Sequence, residues 1–99
     1  MLSGIGPPAL ALAPAQRAAE LSPDDAGVLA DLGTVLLSLN KFAEAEAVLR
    51  RALEIDPRDI VALLSLAQTL EGADNLKEAA VYRHLFDRAV EEIKAGASE

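Results

Sequence analysis

Few side chains in this 99-residue sequence have the types and spacing that chemistry requires. His84, Asp87 and Glu91 fall at i, i+3 and i+7, one face of a helix, where a metal ion finds ligands. His84 is the lone histidine, however, and Arg83 and Arg88 lie beside it. At helical spacing those arginines pair with Asp87 and Glu92 four residues on, so the segment reads as a solvated charged face. Ser22, Ser38 and Ser65 have no base near them in sequence to activate a hydroxyl, and no glycine-rich phosphate loop is present. The sequence contains no cysteine, which removes disulfides, thiolate nucleophiles, zinc–thiolate sites and iron–sulfur clusters together. Arg50, Arg51 and Arg58 form the one basic cluster, but Glu46, Glu54 and Asp56 surround it. The expectation is a protein that is not an enzyme, with no catalytic residues, no cofactor and no metal.

Composition narrows the remaining classes. Sixteen acidic residues against nine basic ones give a net charge of −7, which argues against binding a nucleic-acid backbone. Phe42, Tyr82 and Phe86 are the only aromatic residues, so the core is built from Leu, Ala, Val and Ile. Ala and Leu favour helices, whereas strands favour β-branched and aromatic residues. No apolar run approaches the ~18 residues that a membrane-spanning helix needs. Ala13-Pro14-Ala15 has the small-x-small shape of a signal-peptide cleavage site. No Lys or Arg precedes Arg17, though, and Gly4, Gly6, Pro7 and Pro8 interrupt any apolar core there. A cytoplasmic location is the default expectation.

The elements that would position these residues repeat. Sliding the sequence by 34 residues lays Arg17, Ala18, Glu20, Pro23 and Asp25 on Arg51, Ala52, Glu54, Pro57 and Asp59. The same offset lays Leu29 on Leu63, Leu32 on Leu66, Leu36 on Leu70, Glu44 on Glu78 and Ala45 on Ala79. Within the period, apolar residues at 28, 29, 32, 35, 36 and 39 predict a helix over 26–39, with Asp25 as its N-cap. After a turn at Asn40-Lys41, a second helix runs over 42–55 and stops before Pro57. Asp59 caps a third over 60–71, and a last helix starts at Leu76 after a turn through 72–74. Asn75 with Glu78 three residues on has the form of a capping box.

The unit 26–59 resembles the tetratricopeptide repeat, whose 34-residue pattern places large, Leu-Gly, large, Ala, large, Ala and Pro residues at set spacings. Here these are Leu29, Leu32-Gly33, Leu36, Ala45, Leu49, Ala52 and Pro57. Leu29 and Leu36 stand where the family favours Trp and Tyr. The expected fold is all-α, antiparallel helix-turn-helix repeats forming a fragment of an α-solenoid, with a long C-terminal capping helix. Gly33 and Ala45 belong where two helices cross closely. In the second unit Ala67 replaces the glycine, Arg83 falls where Leu49 was, and Phe86 where Ala52 was. These departures mark a terminal helix. The expected organisation is a flexible N-terminal tail at 1–13, a partial repeat at 14–25 in which Pro14 occupies the first turn, a full repeat at 26–59, a modified repeat and cap at 60–95, and a flexible end at 96–99.

The resemblance implies a concave groove, lined by the first helix of each repeat, that holds a peptide or partner helix. Its contact positions are Gly27, Ala30, Asp31, Thr34, Leu37, Val61, Leu64, Ser65, Gln68 and Glu71, a largely apolar groove edged by Asp31 and Glu71. Some relatives clamp the carboxylate of a chaperone C-terminal tail with Lys, Asn and Arg; no basic residue occupies these positions here, which argues against that partner. The expected function is a non-catalytic protein-interaction module or scaffold. The alternatives are a self-associating homodimer and an accessory domain or fragment of a larger protein. The homodimer follows from a truncated first unit that leaves Leu29, Leu32 and Leu36 poorly covered, and from a positive mean hydropathy of +0.23. Its competitor is a monomer in which residues 8–21 fold back as a lid.

Overall fold

Asp25 and Asp59 stand one period apart, and each starts a helix. In the computed structural model, which describes residues 9–97, Asp25 Oδ1 accepts from the Val28 N–H at 3.2 Å. Asp59 Oδ1 accepts from Val61 and Ala62 at 3.0 and 3.1 Å. Both satisfy backbone donors that the first helical turn leaves without partners. Each cap is preceded by the same tight turn. Asp25 N donates to Ser22 O and Asp59 N to Asp56 O, both at 3.2 Å, with Pro23 and Pro57 presetting the second turn residue.

Five helices result: α1 (Ala9–Leu21), α2 (Ala26–Ser38), α3 (Phe42–Ile55), α4 (Ile60–Gly72) and α5 (Leu76–Ala97). No strand occurs among the described residues. The turns after α2 and α4 repeat as well. Asn40 and Asp74 adopt φ of 61° and 68°, and the next residue's N–H reaches back to Leu36 O and Leu70 O at 2.9 and 2.8 Å. This left-handed closure satisfies carbonyls at the helix end. It takes Asn or Asp at a left-handed position that most side chains avoid. Gly72 is used differently: it ends α4, and a Cβ there would lie 2.5 Å from the ring of Phe42.

Each helix packs on its successor, and α2 also packs across on α4, while the backbones of α1, α3 and α5 do not approach one another. The inner row is therefore closer-set than the outer row, and the array bends toward the face made by α2 and α4. The core between the rows joins Leu29, Leu32 and Leu36 of α2 to Ala45, Leu49 and Ala52 of α3 and to Ala62, Leu66 and Leu70 of α4. At the α2–α3 crossing a Cβ on Gly33 would overlap the Leu49 side chain, so the backbones meet there only because position 33 has no side chain.

Both ends depart from the sequence expectation. The first helix begins at Ala9, not at 14, and Pro14 lies inside it. Proline removes one backbone hydrogen bond, to the carbonyl of Leu10. Leu10 is exposed to water, the first turn is alanine and leucine, and Leu12, Ala15 and Ala19 pack on the core. That burial offsets the lost bond. The remainder of the expected tail, 1–8, lies outside the described residues, as do 98–99. The expectation that Leu29, Leu32 and Leu36 lack cover is corrected too. They are 6%, 8% and 3% exposed, in the cluster against which Leu12, Ala15 and Ala19 of α1 pack, so the homodimer loses one of its two premises and keeps only the mean hydropathy.

At the other end α5 continues to Ala97, past the expected 95. Arg83 does not enter the core in place of Leu49. The helix is turned so that Ala79 and Ala89 are buried and Tyr82 and Phe86 half-buried, while Arg83 remains in solvent. The capping box at Asn75 is only half formed. Asn75 Oδ1 accepts from the Glu78 N–H at 3.4 Å, but the Asn75 N–H is already engaged by Leu70 O. The Glu78 carboxylate instead accepts from the Asn75 side-chain amide at 3.4 Å and from Arg50 on α3 at 2.6 Å. No helix among the described residues is long and apolar enough to cross a membrane.

Candidate functional site

The face made by α2 and α4 carries the sequence-predicted groove residues, in three kinds of environment. Ala30 and Ser65 are 1% and 5% exposed and form the seam between the two helices rather than a surface. Asp31, Thr34, Val61, Gln68 and Glu71 are exposed, as is Gly27, and Leu37 and Leu64 are half-buried. The open part of this face thus carries Val61, Leu64 and Leu37 among polar side chains.

Hydroxyls build the seam. Thr34 Oγ1 donates to the Ala30 carbonyl at 2.9 Å, so it meets Ser65 Oγ, also 2.9 Å away, as an acceptor. Ser65 therefore donates, since Thr34 has one proton and has committed it. Thr69 donates to the Ser65 carbonyl at 2.7 Å. No buried side-chain N or O among the described residues lacks a hydrogen bond, so the seam is a finished polar contact.

Charge along the groove is sparse. Both carboxylate oxygens of Glu71 accept from Arg83 Nη2, at 3.2 and 3.1 Å. Asp31 has no ion-pair partner among the described residues. The expected Arg83–Asp87 and Arg88–Glu92 pairs do not form. Arg83 turns to Glu71, and Glu92 pairs with Arg58 at 3.0 Å, because neighbouring elements bring carboxylates and guanidinia closer than the helix's own next turn does.

The basic cluster disperses. Arg51 pairs with Asp24 at 3.0 Å. Arg50 is the centre of a network the sequence did not reveal: Nε donates to Glu46 at 2.9 Å, Nη1 to the Tyr82 hydroxyl at 3.0 Å and Nη2 to Glu78 at 2.6 Å. Its guanidinium carbon also lies 5.7 Å from the Tyr82 ring centroid, a cation–π distance. Burial works against the charge of Arg50. The hydrogen bonds to Glu46 and Glu78 outweigh it and hold the guanidinium above its ordinary pKa. The i, i+4 spacing of Glu46 and Arg50 was the available signal; the third and fourth members come from another repeat.

Nothing in the described structure assembles a reactive centre. No group of three His, Asp or Glu side chains is placed to hold a metal among the described residues, and His84, Asp87 and Glu91 are all exposed. Ser38 donates to the Val35 carbonyl at 2.7 Å. A shallow depression of about 630 Å³ gathers Asp24, Asp25, Asp56 and Asp59 around Ile55. Those carboxylates have structural work: Asp25 and Asp59 cap helices, Asp24 holds Arg51 and Asp56 accepts the Arg58 N–H.

No curated protein matches the sequence. A family model described as tetratricopeptide repeat matches residues 6–60, more than half of the chain. That match spans α1, α2 and α3, the stretch that holds the glycine crossing, the paired aspartate caps and both proline turns, and repeats of this kind generally mediate protein–protein interaction. The chain belongs to the tetratricopeptide-repeat family.

Proposed function

We propose that the chain is a non-catalytic interaction module that takes a peptide or partner helix in the groove between α2 and α4. One observation carries this: Val61 is 46% exposed beside half-buried Leu64 and Leu37, on the face toward which the array bends. An apolar strip rimmed by polar groups suits a segment that buries one side of itself. Asp31, Thr34, Gln68 and Glu71 form the rim, while Ala30 and Ser65 hold the helices at the spacing that makes the groove.

The test is a peptide array of amphipathic sequences probed with wild type, Leu64→Lys and Leu85→Lys. The last places the same change on α5, beside Pro57 and Leu63 and away from the groove positions. Circular dichroism establishes that each variant is folded. Loss of the captured peptides with Leu64→Lys and their retention with Leu85→Lys is the expected result. A folded Leu64→Lys variant that captures them undiminished removes the groove from the proposal.

A further inference from the structure

The groove differs from an ordinary polar surface in the direction of its hydrogen bonds. Thr34 has spent its proton on Ala30 O, and Ser38, at the end of the same helix, has spent its proton on Val35 O. Ser65 donates inward to Thr34. What these hydroxyls offer outward is lone pairs. Asp31 is exposed, offers only acceptors at neutral pH and has no counter-ion among the described residues. The other carboxylate of the groove, Glu71, is occupied by Arg83 on both oxygens, which also engages that cation. Among the groove side chains only the Gln68 amide still offers donors. The surface is acceptor-rich and carries one uncompensated negative charge, in a chain whose net charge is −7.

From this, and resting on the groove reading above, we infer that the partner segment is basic: it lays an aliphatic side chain on Val61 and Leu64 and brings a Lys or Arg to Asp31 and Thr34. A segment bearing carboxylates would meet acceptors with acceptors and a negative charge with negative charge, both of which disfavour association. A Lys or Arg side chain suits the site twice over, since its methylene stem packs on apolar surface while its head donates. The overall negative field adds a gain in encounter rate for a cationic segment.

The experiment uses two acetylated and amidated peptides of equal length, one of Leu and Lys at helical spacing, the other of Leu and Glu. Each is titrated against the full chain by calorimetry. The Leu/Lys peptide is expected to bind about tenfold more tightly, because like-charge juxtaposition penalises the other. Asp31→Asn is expected to weaken the Leu/Lys complex about three- to fivefold, the range of an exposed ion pair. Glu54→Gln, the same charge change on α3, is the control and is expected to stay within about twofold. Equal affinity for the two peptides overturns the basic partner, as does an equal loss in Asp31→Asn and Glu54→Gln, which assigns the preference to net charge. Failure of both peptides to bind also overturns it. If both bind without preference and Leu64→Lys abolishes both, the groove stands and only its polarity is refuted. If Leu64→Lys changes nothing, the groove itself is refuted.

Discussion

Arg50 Nη2 on α3 donates to Glu78 Oε1 on α5 at 2.6 Å, joining two outer helices whose backbones do not pack on each other. The pair links the two helices through side chains alone. Both side chains are more than a third exposed, so water screens much of the attraction. A double-mutant cycle of Arg50→Met and Glu78→Gln should give a coupling of about 0.5–1 kcal/mol, falling in high salt. The guanidinium is held above its usual pKa, so its share of stability is complete below that range and fades only as pH rises through it. Salt, not pH, is the lever on this charge. Zero coupling at low salt would make the bridge ornamental.

Gly33 and Gly96 offer opposite outcomes for one substitution. A Cβ at Gly33 overlaps Leu49, whereas at Gly96 nothing lies within 4 Å. Alanine gains about 0.5–1 kcal/mol of helix propensity at either site. At Gly33 overpacking costs about 1–3 kcal/mol, so Gly33→Ala should lower the melting temperature and Gly33→Leu should lower it further. Gly96→Ala should be neutral or slightly stabilising. In a Leu49→Ala background the Gly33→Ala change should lose its penalty. A penalty that persists there would place the close contact elsewhere.

What was legible in the sequence is what is local or periodic. The boundaries of α2, α3 and α4 follow from Asp25, Asp59, Pro57 and the apolar spacing, and each falls within a residue of expectation. The Gly33 crossing followed from the repeat pattern. The repeat spacing also named Thr34, Val61, Leu64 and Gln68 in one set of positions with Ala30 and Ser65, but it did not reveal that the last two are buried. Positions 30 and 65 are contact positions only where no neighbouring helix covers them, and here α2 and α4 cover each other at those residues. The arginine partners were illegible for a related reason. Spacing along one helix predicts Arg83 with Asp87, while the fold supplies Glu71 across the α4–α5 turn. The length of α1 turned on a balance between Pro14 and the burial of Leu12, which the sequence alone does not weigh.

The inferred direction of the seam hydrogen bond makes its two halves unequal. Ser65→Ala removes a donor and leaves Thr34 bonded to Ala30 O, so it should cost less than about 1 kcal/mol. Thr34→Val removes the acceptor beneath a buried hydroxyl, and an unpaired buried donor costs about 1–3 kcal/mol. Applying both changes should cost less than Thr34→Val alone. Chemical denaturation of the four proteins measures this directly, and a larger loss for Ser65→Ala would reverse the assignment of donor and acceptor.

Leu12 on α1 packs against the core cluster that contains Leu29, Leu32 and Leu36, and the oligomeric state is expected to turn on this contact. Tetratricopeptide arrays bury each unit against a neighbour, and among the described residues α1 is the element that packs on α2 besides α3 and α4. With the lid in place the wild type should scatter light with a mass near 10.4 kDa at every concentration in the micromolar range. Leu12→Asp puts a carboxylate against apolar surface, which disfavours docking by about 2 kcal/mol from lost burial and desolvation. The lid should then open, and the three leucines should become a contiguous apolar patch of the kind that forms interfaces. The expected sign is a mass that rises with concentration, with helicity nearly retained. Leu10→Asp, on an exposed position of the same helix, should remain a monomer and so controls for added charge. A wild type that is already dimeric would refute the lid, as would a Leu12→Asp variant that stays both folded and monomeric.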